Sequence, residues 1–193
     1  MFKLIERFIT WLYGAPVSSD DNFTIPAYPD TPLEAPKTSP DTITSTKPLE
    51  TPPSASQKVY KVAYDSIGKH LTLNDSIRPE VGCAQAISWI LINAGYPIPR
   101  GGISTVAGLT KWMLEQGFVE EKKYGVGYVI TGRVNSTTAH IGVCGKDWII
   151  SNTSYTDTKR GLVAGQFQAN YRKENWKKVY PQTRFFRPIN VLA

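Results

Sequence analysis

Hydrophobic and polar positions along this chain fall into three regimes. In MFKLIERFITWLYG, Lys3, Glu6, Arg7 and Thr10 recur at helical spacing and form one polar stripe, with Phe2, Leu4, Ile5, Phe8, Ile9, Trp11 and Leu12 around the rest. The pattern predicts a short amphipathic helix over residues 1–14. Across residues 15–57 apolar positions are too sparse to bury a core, and nine of the 14 prolines stand there among Thr, Ser and Asp. Proline denies helix and central strand, so this span reads as an extended, disordered tether. From about Lys58 to the C-terminus apolar periodicity returns, over a length sufficient for one independent core.

Within residues 58–193 the periodicity changes character. Val59–Leu71, Cys83–Ala94 and Thr105–Gln116 carry helical spacing, the last two closed by Gly95 and Gly117 as helix-ending glycines. Leu73–Gly82 and Tyr96–Gly102 hold the turn residues of loops. Beyond Phe118 the pattern becomes strand-like, with β-rich runs at Tyr128–Arg133, Ala139–Cys144, Trp148–Asn152 and in TRFFRPI near the end. Helices first and strands after predict an α+β fold with an antiparallel sheet.

Charge sharpens the division. Residues 58–193 carry 18 Lys/Arg against 9 Asp/Glu, whereas residues 15–57 carry 2 against 6. The basic excess belongs to the C-terminal domain, which therefore favours polyanions such as nucleic acid, acidic lipid or the anionic polymers of a bacterial wall, or else simply presents a solvated basic surface. Two cysteines and two histidines exclude a disulfide-rich scaffold and leave too few ligands for a Cys/His zinc site, so neither metal nor other cofactor is expected. No run of apolar residues reaches the length of a membrane span. Glu6 and Arg7 interrupt the would-be core of a signal peptide, so no cleavable leader is expected at the N-terminus. The 1–14 helix could instead lie on a membrane, dock on a partner or pack on its own domain.

The candidate chemistry begins at EVGCAQAISWILINAG. Cys83 opens a helix directly after Gly82, where free N–H groups and the positive end of the helix dipole favour thiolate. The competing role is that of a small buried core residue. Downstream, His140 begins the strand HIGVC. With Gly145-Lys146-Asp147 as a three-residue hairpin loop, Cys144 pairs with Trp148 and His140 faces Asn152, with Cβ atoms about 5 Å apart. An amide there would fix the imidazole tautomer and leave the other ring nitrogen as a base. Cys83, His140 and Asn152 are then the parts of Cys-His-Asn nucleophilic catalysis. The pairing is sensitive to register, since a one-residue slip turns every side chain to the other face. Cys144 lies roughly 13 Å along the strand from His140 at ~3.3 Å per residue and is expected in the core. His70 is expected at the end of the first helix, where a cation complements the dipole, in a structural role.

These residues carry a resemblance. GCAQAISWILINAG resembles the nucleophile helix of the CHAP and NlpC-type cell-wall hydrolases, TAHIGVCG the strand that carries their base, and IISNTS the following strand with its polar third residue. GYVITGR resembles the preceding strand, with Tyr128 in place of an Asp, and Ala139 stands where a Gly usually precedes the histidine. Asn170, Trp176 and VYPQTRFFRP resemble the tail of phage-encoded members. The resemblance spans Val59 to Pro188 and implies a papain-like α+β fold, cleavage of a peptidoglycan amide, and a setting at the phage virion or the host cell envelope. It leaves open amidase against endopeptidase action. A side-chain donor for the oxyanion is not identified by motif, and Asn74, Asp75 and Gln85 stand as neighbours beside the Cys83 N–H. The 1–14 helix would then reach a membrane surface, a holin-like protein or a virion partner.

Two other readings remain at this level. One is a catalytically inactive wall-binding or structural virion module on the same fold. The other is nucleic-acid binding by NYRKENWKKVYPQTRFFR, whose aromatics alternate with cations. No recognised nucleic-acid motif accompanies that stretch, and specific nucleic-acid binding is not expected.

Overall fold

A computed structural model describes residues 53–135 and 138–190. The chain divides into two units, Met1–Ser45 and Thr46–Ala193, and every described residue belongs to the second. The amphipathic helix expected over 1–14 and the tether up to residue 52 lie outside the described residues.

The first helix, α1 (Ala55–Asp65), starts inside the span read as linker. Ser54 and Gln57 form a reciprocal capping box, so local hydrogen bonding fixes the start three residues before Lys58. α1 ends at Asp65, short of Leu71. His70 is therefore no helix cap; it makes an isolated bridge with Gln166. α2 (Cys83–Asn93) and α3 (Val106–Glu115) follow. Thr105 caps α3 by accepting the Gly108 N–H, and Gly95 and Gly117 follow the two helices with φ of 97° and 82°, the left-handed backbone that favours glycine.

Six strands complete the unit: β1 (Val119–Glu121), β2 (Val129–Arg133), β3 (Ala139–Cys144), β4 (Trp148–Asn152), β5 (Phe167–Arg172) and β6 (Gln182–Arg187). A short helix, α4 (Lys173–Val179), joins the last two. The strands form one antiparallel sheet in the order β1-β6-β2-β3-β4-β5. The α+β class with an antiparallel sheet is thus as expected, while β1, β5 and α4 are additions to the sequence reading.

Side-chain alternation divides the sheet into two packed faces. Val129, Ile141, Val143, Ile150, Phe167 and Phe186 meet α1, α2 and α3 in the main core. α2 is buried almost all round, with Ile87, Ile90 and Leu91 fully enclosed, and each such side chain contributes roughly 1.5–3 kcal/mol. A smaller core on the opposite face gathers Ile130, Cys144, Ile149 and Phe185 under Trp176 and Tyr180. Cys144 is fully buried there, as its position predicts, and both cysteines are free thiols. No helix among the described residues is long and apolar enough to cross a membrane.

The aromatic–cationic stretch after Asn170 folds into this sheet. Trp176 and Phe186 are fully buried, and Tyr180 and Phe185 nearly so, so their rings are not an exposed stacking platform for bases.

Candidate active site

The hairpin between β3 and β4 turns one residue more tightly than the sequence reading assumed. Gly145 N–H donates to Trp148 O at 2.7 Å, leaving Lys146 and Asp147 as a two-residue turn. A Cβ on residue 145 would lie 2.7 Å from that same oxygen, which is why a glycine closes the ladder. The register becomes Cys144 with Ile149, Val143 with Ile150 and Gly142 with Ser151. This slip moves Asn152 to the helix-covered face, where its Nδ2 donates to Pro79 O at 2.6 Å in the turn before Cys83. Asn152 therefore does not face His140, and the expected His–Asn pair is corrected. Ser151 takes its place: His140 Nε2 lies 2.9 Å from Ser151 Oγ.

Ser151 is itself held. Its hydroxyl donates to Asn170 Oδ1 at 2.7 Å, and Asn170 Nδ2 points at Ser151 O, Asn152 O and Thr153 Oγ1 at 3.4–3.5 Å. Those acceptors require the nitrogen of the Asn170 amide on that side and its oxygen toward Ser151. With its one proton committed to Asn170, Ser151 Oγ must accept from the imidazole, so His140 carries its proton on Nε2 and keeps the Nδ1 lone pair as a base.

A β-bulge makes this arrangement possible. On β5, Ile149 pairs with Tyr171 but Ile150 pairs with Ala169, so Asn170 is the extra residue. The bulge lets two consecutive residues serve the His140 side: Asn170 through Ser151, and Tyr171 with its ring edge-on to the imidazole at 5.8 Å. Trp176 and Tyr180 stack on the same ring at 5.8 and 5.7 Å. Gly132, directly across the ladder from His140, clears space for them, since a Cβ there would lie 2.4 Å from Tyr180 Cβ and 3.0 Å from Trp176 Cζ2. Enclosure in this aromatic box pulls the His140 pKa down to about 4.

Cys83 approaches from the helix side. Gly82 precedes it as a cap that contributes no side chain, leaving the N–H groups of the first turn open. The thiol packs against the core that includes Ile141, and the backbone amides of Ala84, Ile141 and Cys83 itself favour its thiolate form. Ile141 follows His140 in β3 and lies just beyond the β3–β4 ladder, which starts at Gly142. The thiol is thus set against the residue next to the base. No thiol–imidazole hydrogen bond is present among the described residues. Burial pushes the thiol up to about 11, against the pull of those three amides. The thiolate expected from the helix N-terminus is therefore not the resting form; desolvation outweighs the dipole, and both partners rest neutral. Gln85 is tied into the loops around it: Oε1 accepts from Leu73 N at 3.2 Å and Nε2 donates to Ser104 Oγ at 3.2 Å. Asn74 Oδ1 accepts the Ser76 N–H in a local turn, which fixes the orientation of that amide. The backbone N–H groups at the head of α2, which no side chain caps, are candidate donors for an oxyanion beside Cys83.

Sequence reasoning missed Ser151 and the function of Asn170. The visible signal for both was polar residues inside otherwise β-rich runs, which a core strand does not accept without partners. Removing the Ser151 hydroxyl frees the tautomer and strands Asn170 Oδ1. Ser151→Ala is expected to lower kcat on any substrate of this site roughly tenfold to a hundredfold, part of the 10²–10⁴ that a positioned base supplies, with KM little changed. A nitrogen-15 NMR measurement of His140 should show a defined Nε2–H tautomer in the parent and a mixture in the variant; an unchanged tautomer would reject the relay.

No protein-family model matches the chain, and no curated protein matches it either. Among the described residues there is no cluster of His, Cys, Asp and Glu suited to hold a metal ion.

Proposed function

We propose that this domain is a papain-like thiol hydrolase that cleaves an amide bond of peptidoglycan. The observation that carries the reading is the meeting of a helix-opening cysteine with the strand residue next to a histidine whose Nδ1 is kept free by the Ser151–Asn170 relay. Cys83 Sγ attacks the amide carbonyl as its proton passes to His140 Nδ1. The oxyanion is met by N–H groups at the head of α2. The C–N bond then breaks and His140 returns the proton to the leaving amine, giving a thioester. Water adds with His140 again taking the proton, the C–S bond breaks, and a carboxylic acid and the free thiol are released. His140 acts here as a general base on a neutral thiol rather than as half of a preformed ion pair.

Peptidoglycan as substrate is supported by the resemblance of the Cys83 and His140 segments to CHAP and NlpC-type hydrolases and by the basic domain, which suits an anionic wall. Phage lysis or wall penetration is the corresponding setting. The test is digestion of purified sacculi by the full chain, followed by mass spectrometry of soluble fragments. New amino termini or freed muramic acid carboxyls name the bond. A folded chain that releases nothing from several wall types overturns the reading. That outcome would favour the second reading, an inactive wall-binding module, which draws on the raised Cys83 pKa and the absent thiol–imidazole bond.

A further inference from the structure

The loop between β4 and β5 places one cation behind the relay. Arg160 ends a short turn of helix, Thr158–Arg160, and its guanidinium is held by two neutral oxygens. Nη2 donates to Asn170 O at 2.6 Å and Nη1 to Tyr155 Oη at 3.1 Å. Asp157, the nearest acid in sequence, accepts the Arg160 backbone N–H rather than the guanidinium. Among the described residues Arg160 has no carboxylate partner, unlike Arg184 and Arg187, which pair with Glu120 and Glu121. A half-buried guanidinium has five N–H donors, and two are spent here. The remaining N–H groups can take an anion through charge-assisted hydrogen bonds.

Its location ties this guanidinium to the candidate site. Asn170, whose carbonyl holds Arg160, is the residue whose side chain holds Ser151, and Ser151 holds His140. Tyr171, the next residue on β5 after Asn170, lies edge-on to His140 at 5.8 Å. Tyr155, the other anchor of the guanidinium, is 42% exposed, so this anchor stands at the protein surface.

We infer that Arg160 is a specificity residue that binds a carboxylate of the substrate beside the amide presented to Cys83. The inference rests on the thiol-hydrolase reading for the placement of that amide, and it adds the chemical class of the flanking group: an acidic peptide, bound by a planar, charge-assisted fork.

The experiment uses the full chain carrying Cys83→Ala, so that ligands are bound and not consumed. The probes are synthetic stem peptides in which each free carboxylate is replaced in turn by a primary carboxamide, with affinity read by calorimetry. One replacement is expected to weaken binding about tenfold or more, and adding Arg160→Gln should erase that sensitivity. Adding Arg160→Lys should restore part of it, because the charge returns without the fork. An Arg160 that merely clamps the loop would weaken acid and amide forms alike, leaving their ratio intact in Arg160→Gln; that result overturns the inference, as does failure of every carboxylate form to bind. Hydrolysis of the same peptides by the unmutated chain is scored separately. Cleavage indifferent to every carboxylate sinks the Arg160 assignment and leaves the hydrolase standing. Carboxylate-selective binding without cleavage does the reverse.

Discussion

Cys83→Ser should reduce release of peptidoglycan fragments by on the order of 10³-fold or more while leaving the domain folded. The change is nearly isosteric and the side chain keeps its place at the head of α2, so circular dichroism and thermal midpoint should barely move. What is lost is nucleophilicity. A serine hydroxyl is far less acidic than a thiol, and the base offered to it has been pulled down to about 4, too weak to activate an alcohol. Cys144→Ala provides the contrast. Cys144 is fully buried in the smaller core and turned away from α2, so its loss should cost stability through a cavity and leave kcat within a small factor. Thiol chemistry gives an independent reading of the same residue. With its pKa pushed up to about 11, Cys83 should alkylate slowly with iodoacetamide at neutral pH and faster as pH rises toward that value. Rapid alkylation at pH 6–7 would show a thiolate at rest and would discard the neutral-pair mechanism. Equal activity of Cys83→Ser and its parent would discard the nucleophile.

The sequence made the elements of the site legible more readily than their geometry. Helical spacing after Cys83 and strand spacing after His140 are local, and local periodicity survives folding because it is what the core demands. The sequence pattern places the orienting role on Asn152, with polar Ser151 and Thr153 on either side of it. Choosing among them required the hairpin length, and a loop of two residues rather than three reverses the face of every later side chain. The role of Asn170 was hidden for a second reason. A bulge breaks the period of two, so alternation assigns Asn170 and Tyr171 to opposite faces when both serve His140. The resting charge of Cys83 was misjudged because the helix dipole can be read from sequence whereas desolvation depends on what packs over the sulfur.

Acidification should expose the histidine. The folded state holds His140 near 4, while an unfolded chain leaves it near its ordinary value of about 6.5. Between those values the unfolded chain binds the extra proton, so stability rises with pH across this window and is lost as pH falls from about 6.5 toward 4. The full effect is about 3 kcal/mol, an order-of-magnitude figure for a residue that is 8% exposed. The groups packed against the ring do not compete for the proton there: Tyr171, Trp176 and Tyr180 form its walls and Ser151 takes Nε2. Denaturant titrations at pH 7, 5.5 and 4 should therefore show a loss that His140→Gln flattens, beyond the part due to carboxylates elsewhere. Activity should follow the same titration from the functional side. A base with a pKa near 4 remains deprotonated through the mildly acidic range, so kcat/KM should hold its plateau down to about pH 5 and fall only below it. An acidic limb centred near 6.5 would mean that the imidazole works in water rather than in its aromatic box. His140→Gln should remove both the limb and, by roughly 10²–10⁴-fold, the activity that it shapes.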